Sequence, residues 1–348
     1  MSKYVVKRIL LIFLTAFIIL SITYMLIQTL PLNEPTGNIS QQITFWDEQV
    51  RLGFYERVTN PAEIMNGLYD RVLTDGGTSH YYRAVPIFTR YLHWLRNIFT
   101  EWNWGVSTTV SRGQEAMQII LGNLPVTIKL NLVSICFSIP LGLGLGILAA
   151  LKKNTWVDNT ISTIVMIFIS VPSFVLISFL LIWLSYSTGW LPSKWPSGSE
   201  VANNPILGVT GYVIPVIALS SGSIAGFARY TRAELCEVMS SEFLLLARTK
   251  GLTRGQSVVR HALRNSMVPI IPMIIAEFIS ILSGSMVLEQ IYGIPGVGQL
   301  FVKALTDTDY PVIMVDMAVY TLIGLAATLL IDLSYGVVDP RIRMGEAK

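Results

Sequence analysis

Six stretches of the chain are apolar over about the 20 residues that a helix needs to cross the hydrocarbon of a bilayer. They run about 9–30, 118–151, 157–187, 208–235, 266–289 and 312–335. The chain between them turns polar. Residues 31–115 form a long mixed segment, residues 188–207 and 290–311 form short loops, and residues 236–264 hold a cationic island. This alternation predicts an all-α polytopic membrane protein with six transmembrane helices. The second and third stretches are long enough to tilt or to extend past the membrane surface.

The first stretch begins with the basic start of a signal peptide, "MSKYVVKRILLIF". It then stays uncharged from Ile9 to Asn33. A cleavable apolar region is about 7–15 residues long and ends in a small-x-small site. The stretch is longer and lacks that site, so it reads as a retained helix or signal anchor.

Basic residues mark one side of the membrane. Lys3, Lys7 and Arg8 precede the first span, and Lys152 and Lys153 separate the second from the third. Arg229, Arg232, Arg248, Lys250, Arg254, Arg260 and Arg264 lie at or between the ends of the fourth and fifth, and Arg341, Arg343 and Lys348 follow the sixth. The opposite loops hold Lys194 and Lys303. Both termini are therefore expected to be cytoplasmic. Segment 31–115, between helices 1 and 2, is expected to be an ordered extracytoplasmic cap, rich in aromatics such as Trp46, Tyr82, Trp94 and Trp104 and with a turn signal at "DGGTS". The expected organisation is residues 1–30 as N-terminus and first span, 31–115 as the cap and 116–335 as a five-span core containing the loop 236–264. A cytoplasmic tail follows at 336–348.

Composition strengthens the membrane reading. Of the 348 residues 52% are hydrophobic and 14% charged, with a mean hydropathy of +0.56, where soluble domains average about 25% charged residues. A net charge of +3 argues for neither nucleic acid nor an acidic partner. Cys136 and Cys236 both fall in apolar runs and read as packed thiols. His80, His93 and His261 are far apart and form no ligand set. Prolines 125, 140, 172, 215, 269 and 272 and the glycines of "PLGLGLGILAA" fall within the spans, where they serve close helix packing or bending.

The chain has no GxxxxGK[ST] phosphate loop and no GxSxG elbow. Asp158, Asp316 and Asp332 lie near span ends, not paired at mid-depth as an intramembrane aspartyl protease requires. Glu277 does lie mid-span, in "IIPMIIAEFISIL". A carboxylate there is costly unless it faces protein or water. It is either a polar point on a substrate path or a partnered structural carboxyl.

The island reads "ARYTRAELCEVMSSEFLLLARTKGLTRGQSVVRHALRNSMVP". It predicts a short helix over about Ser241–Thr249, closed by Gly251 in the left-handed region, and a second helix from Thr253 or Arg254. Leu244, Leu245 and Ala247 can press on apolar surface while Arg248, Lys250 and Arg254 stay wet. Such a helix suits docking into a partner's groove or resting on anionic lipid.

This stretch resembles the cytoplasmic coupling loop of ABC-importer permeases, in particular the B-type subunit of bacterial oligopeptide and dipeptide importers. The matching positions include Ala228-Arg229, Arg232, Glu237-Val238, Ala247-Arg248, Lys250-Gly251-Leu252, His261, Leu263-Arg264-Asn265 and Pro269. "NLPVTIKLNL", "SVPSF", "TGWLPS", "LEQIYGIPGVGQLFVKAL", "DTDYPV" and "DLSYGVVDPRIR" resemble further blocks of that family. Leu245-Leu246 stands where the general motif has Glu-Ala, Phe243 where it has Tyr, and Arg264 where it has Pro.

The resemblance implies a type I ABC importer permease fold and one half of a heterodimeric pore. It implies a homologous second permease, two ABC ATPases that bind ATP and Mg, an extracytoplasmic peptide-binding protein and a peptide substrate. This chain itself would hold no cofactor. It places Glu242, Ala247, Arg248, Lys250, Gly251 and Leu252 at the ATPase contact. Glu277, Ser283 and Ser285 become candidates for the substrate path, and Tyr292, Pro295, Gly296 and Gly298 for an outer gate or binding-protein contact. A permease for nickel chelates or another small solute is the alternative, and an unrelated channel or secondary transporter a remote one.

Overall fold

A computed structural model describes residues 2–30, 32, 34, 38–280 and 285–338. Ser283, Arg341, Arg343, Lys348 and most of the tail 336–348 lie outside the described residues, as does the side chain of Arg254.

Four helices among the described residues are long and apolar enough to cross a membrane: Val6–Ile27 within α1 (Ser2–Ile27), α5 (Ala116–Leu151), α9 (Leu207–Met239) and Tyr310–Leu333 within α16 (Tyr310–Val338). Two of the six expected spans are not straight helices. The third is a pair, α6 (Trp156–Ser170) and α7 (Ser173–Leu180, continued to Ser187 as a π-helical stretch), bent by 100°. The cause is local. Pro172 has no N–H to continue the ladder, and its ring drives the preceding residue out of the helical region, so Val171 sits at φ −93°, ψ 116°. Counting the pair as one gives five spans.

The fifth expected span, 266–289, comprises the end of α12 (Leu263–Ser266), α13 (Ile270–Ser280) and most of α14 (Met286–Tyr292), and residues 281–284 lie outside the described ones. The 11 residues of α13 reach only about 16 Å, short of the roughly 30 Å hydrocarbon. Pro125, Pro140 and Pro215, in contrast, sit inside unbroken helices.

The chain divides into two compact units. One comprises Met1–Leu14, Ile120–Val302 and Val319–Lys348. In it α9 packs on α6 and α7, and α14 packs on α7. Gly142 and Gly146, one helical turn apart on α5, allow its backbone to touch α9. A Cβ on Gly142 would lie 2.6 Å from the Phe227 Cβ, and one on Gly146 2.6 Å from the Ala228 carbonyl. One apolar core among the described residues joins Leu130, Ile177, Leu180, Ile214, Leu288 and Tyr292. Arg8 of α1 pairs with Asp332 of α16. Cys236 packs beside a second apolar cluster, whereas Cys136 is exposed, so only one of the two thiols is packed in this chain.

The other unit comprises Thr15–Ile119 and Lys303–Ala318. It departs from the all-α expectation. Strands β1 (Tyr55–Arg57), β2 (Arg71–Asp75) and β3 (Thr78–Ala84) form an antiparallel sheet ordered β1-β3-β2. Asp75 pairs with Thr78 across a two-residue turn in which Gly76 and Gly77 both take positive φ, +54° and +85°, as a hairpin matched to strand twist requires. Helix α2 (Ile39–Arg51) lays Trp46 on Leu73 and Tyr82 of the sheet. A short α3 (Pro61–Met65) and α4 (Ile87–Glu101) complete the unit. Asp309 closes it near residue 107. Its Oδ2 accepts from the Ser107 hydroxyl at 2.5 Å and from the amides of Thr108, Thr109 and Val110 at 3.0–3.1 Å.

Candidate functional site

The cationic island folds as a helix–turn–helix. Helix α10 (Glu242–Thr249) ends in a Schellman turn, with the Leu252 amide donating to the Ala247 carbonyl and the Gly251 amide to the Arg248 carbonyl at 3.0 Å. Gly251 has φ +92°, with open space where a Cβ would go. Thr253 and Gln256 then cap α11 (Arg254–Ser257) reciprocally: the Thr253 amide donates to Gln256 Oε1 at 3.1 Å and the Gln256 amide to Thr253 Oγ1 at 3.3 Å. This T-x-x-Q capping box is a sequence signal for the second helix start.

One residue anchors α10. Leu244 is fully buried against Ala150 of α5, Leu235 of α9 and Val258 and Ala262 beyond α11. Leu245, expected to press on apolar surface, faces outward instead. Phe243, Leu245, Leu246 and Val259 are all exposed, and Glu242, Arg248, Lys250 and Gly251 are exposed with them. Ala247 and Leu252 are half-buried. Residues three and four apart share a helix face, and the one shared by Leu244 is already used, so the rest of the turn presents an apolar surface with cations at its edge.

The adjoining helices are tied by charge. Arg232 of α9 grips Asp158 of α6 at two points, Nε to Oδ1 at 2.5 Å and Nη2 to Oδ2 at 2.8 Å. The Asn154 amide donates to the same carboxylate at 2.9 Å, and Ser162 adds a longer bond. Asp158 is 1% exposed. The ends of α5 and α9, the start of α6 and the island therefore gather at one place, which carries Lys152, Lys153, Arg232, Arg248 and Lys250.

Glu277 of α13 has a partner that sequence spacing could not reveal, the hydroxyl of Ser223 on α9. Of the other candidates for the path, Ser285 is half-buried at the start of α14, where its carbonyl accepts from the Glu289 amide at 2.8 Å. The structure does not bring Ser285 to Glu277.

The outer-gate candidates fall around a carboxylate that the sequence reading passed over. Glu289 is 1% exposed. It accepts from the Thr127 hydroxyl at 3.1 Å and the Gln299 amide at 3.0 Å, while the Val297 amide donates to Thr127 Oγ1 at 2.9 Å. Gly296 and Gly298 leave room for it. A Cβ on Gly296 would lie 2.5 Å from both Glu289 Oε2 and Thr127 Oγ1, and one on Gly298 3.0 Å from the same Oε2. Tyr292 is buried and donates its hydroxyl to the Pro192 carbonyl at 3.0 Å; its own carbonyl accepts from the Trp195 amide at 2.8 Å. The blocks "TGWLPS" and "IYGIPGVG" thus form one knot, and among the four gate candidates only Pro295 is exposed. Glu289 was visible as an acid in an apolar run, but no spacing rule links it to Thr127, 162 residues away.

Residues 142–344 match the family of binding-protein-dependent transport system inner membrane components. The chain is 30% identical over 346 residues to the dipeptide transport system permease protein DppB of Bacillus subtilis strain 168, covering 99% of each chain. It is 31% identical over 345 residues to the DppB protein of Lactococcus lactis subsp. cremoris, covering 99% of this chain and 100% of that one. With the oligopeptide transport system permease protein OppB of Escherichia coli K12 it shares 29% over 344 residues, again 99% and 100%. Among solved structures, a chain of the inward-facing MetNI methionine ABC transporter is similar with a TM-score of 0.48 and 19% identity, over 64% of this chain and 97% of that one.

Proposed function

The chain belongs to the family of binding-protein-dependent transport system inner membrane components, and from that premise we propose that it is the permease subunit of an ATP-driven importer of dipeptides or oligopeptides. The observation that carries this reading is the similarity to dipeptide and oligopeptide permeases along essentially the whole chain. The subunit is a multi-pass protein of the bacterial cytoplasmic membrane. It forms half of a translocation pore beside a second, homologous permease.

Its energy comes from two partner ATPases, which hold the ATP and Mg. Helix α10 docks in a groove on one of them, on the cytoplasmic side. The support is its shape: a single buried anchor, Leu244, with Phe243, Leu245 and Leu246 turned outward beside Arg248 and Lys250. Apolar residues in the middle and cations at the rim suit protein docking. Closure of the ATPases pulls on α10, and the buried Leu244 and the Arg232–Asp158 pair pass the displacement to α5, α9 and α6. On the extracytoplasmic side, residues 31–115 and the knot around Glu289 face the peptide-binding protein, with Pro295 as a contact and Tyr292, Gly296 and Gly298 holding the loop from inside. Glu277 lines the path of the cargo, with Ser223 beside it.

The test is uptake by the assembled transporter in vesicles. Labelled di- to hexapeptides should accumulate with ATP and the binding protein and not without either. Accumulation of nickel chelates in place of peptides would overturn the cargo, and uptake by this chain alone without ATP would overturn the whole reading.

A further inference from the structure

The unit of residues 15–119 and 303–318 holds a cavity of about 190 Å³ between α1, α4 and the start of α16. One face of α4 lines it. Arg90, Trp94 and Asn97 stand at i, i+4 and i+7 and so share a helix face. The opposite face of α4 carries Phe88, Leu92 and Phe99, all exposed. Tyr24 stacks on Trp94 at 4.8 Å, and Trp104 meets Trp94 edge-on at 6.1 Å.

Three side chains on this cavity have buried donors with no hydrogen-bond partner among the described residues: Arg90 Nε, Trp94 Nε1 and Trp104 Nε1. Trp104 is only 7% exposed. Buried indole N–H groups nearly always have a partner, because leaving one unpaired costs about 1–3 kcal/mol. The three groups are all donors and cannot satisfy one another. Arg90 is also a full cation that makes no ion pair among the described residues; its Nη1 donates to the neutral Gln28 Oε1 at 2.7 Å. Among the described residues no Asp or Glu lines the cavity. A cavity with one cation, indole donors and aromatic walls is suited to an oxyanion attached to an apolar or aromatic body.

We infer that this cavity is a carboxylate site, and that the carboxylate is the free C-terminus of a peptide. The second half of the statement rests on the peptide-import reading. Arg90 supplies the charge, Trp94 and Trp104 orient the two oxygens, and the rings of Tyr24 and Trp94 receive the terminal side chain.

The experiment titrates the purified full chain with a tripeptide acid, its C-terminal amide and acetate, followed by tryptophan fluorescence. The acid should bind at least tenfold more tightly than the amide, and acetate should bind much more weakly than the peptide acid. Trp104→Phe keeps a ring and removes one donor, and Arg90→Gln removes the charge. Each should cut the acid-to-amide ratio about tenfold while amide binding stays as it was. Equal binding of acid and amide by the wild-type chain, as expected of donors satisfied by water, would overturn the site. So would a ratio unchanged in both variants, which would place carboxylate recognition elsewhere. Acetate as tight as the peptide acid would overturn the peptide and leave a site for small free carboxylates. Uptake in vesicles separates the two readings. Peptide import by a wild-type transporter whose binding ignores the C-terminus sinks this inference alone, whereas failure to import any peptide sinks the function on which it rests.

Discussion

Arg232 and Asp158 form a two-point ion pair that ties α9 to α6. The carboxylate is 1% exposed, while the Arg232 side chain is 34% exposed. Arg232→Ala leaves a buried charge with only the Asn154 amide and Ser162 for support. We expect a loss of about 2 kcal/mol, below the usual cost of breaking a fully buried pair because one partner is wet. Asp158→Asn should cost less, since it removes the charge that needs a partner. Thermal stability of the purified protein, compared across the two variants and the double variant, checks this. Additive losses would mean that the pair is not an energetic unit.

Gly251 is at φ +92° with nothing within 4 Å of its missing side chain. Any effect of substitution is therefore backbone strain, not a clash. Gly251→Val should cost about 1–2 kcal/mol locally and misdirect α10. Gly251→Asn should be milder, because Asn tolerates positive φ. ATP hydrolysis and peptide uptake, measured together, should come apart in the Val variant or the ATPases should fail to copurify. Fully coupled transport by that variant would remove α10 from the mechanism.

The knot around Glu289 is sensitive to a single carbon. Gly296→Ala places a Cβ 2.5 Å from Glu289 Oε2, which accepts from the Gln299 amide, and 2.5 Å from Thr127 Oγ1, which donates to the other Glu289 oxygen. The loop must open, with a loss of about 1–3 kcal/mol typical of overpacking. Thr127→Val should be comparably damaging, because it leaves the Val297 amide and a Glu289 oxygen without their shared partner. Protease cleavage in loop 290–299 reports the opening. Wild-type resistance in both variants would contradict the packing described.

Glu277→Gln should change the rate of uptake of cationic relative to anionic peptides by several-fold if the carboxyl lines the path. Ser223→Ala, which removes its hydroxyl partner, should shift the same ratio in the same direction but less. Identical kinetics across peptide charge in both variants would make Glu277 a structural carboxyl.

Ser197 and Glu200 form a reciprocal cap at the start of α8 (Gly198–Asn203). The Glu200 carboxyl is held below its usual value, first by the Ser197 amide, then by the Ser197 hydroxyl and the Lys194 charge. A lowered folded value means that the stabilisation is present above the ordinary glutamate range and is lost as pH falls through the lowered value. Hydrogen exchange at 197–203 should therefore accelerate on acidification, and Glu200→Gln should flatten that dependence.

Much of the architecture was legible because apolar length and charge placement act locally. The spans at 9–30, 118–151, 208–235 and 312–335 needed no tertiary information, and the short helix with Gly251 behind it was readable from cap chemistry. The spans at 157–187 and 266–289 looked alike by composition, but Pro172 turned the first by 100°. The three-stranded sheet departs from the all-α expectation because its strands are short and only partly alternating, although "DGG" between two such runs is a hairpin signal.

The sequence by itself determined that the chain spans a membrane repeatedly, which family it resembles and which residues carry its positive charge, since these depend on composition and order. Tertiary structure alone decided that Leu244 anchors α10 while Leu245 turns outward, that Ser223 meets Glu277 and that Thr127 meets Glu289. The two hydrogen bonds join positions far apart in sequence, and only the packing of helices on one another determines which side chains meet.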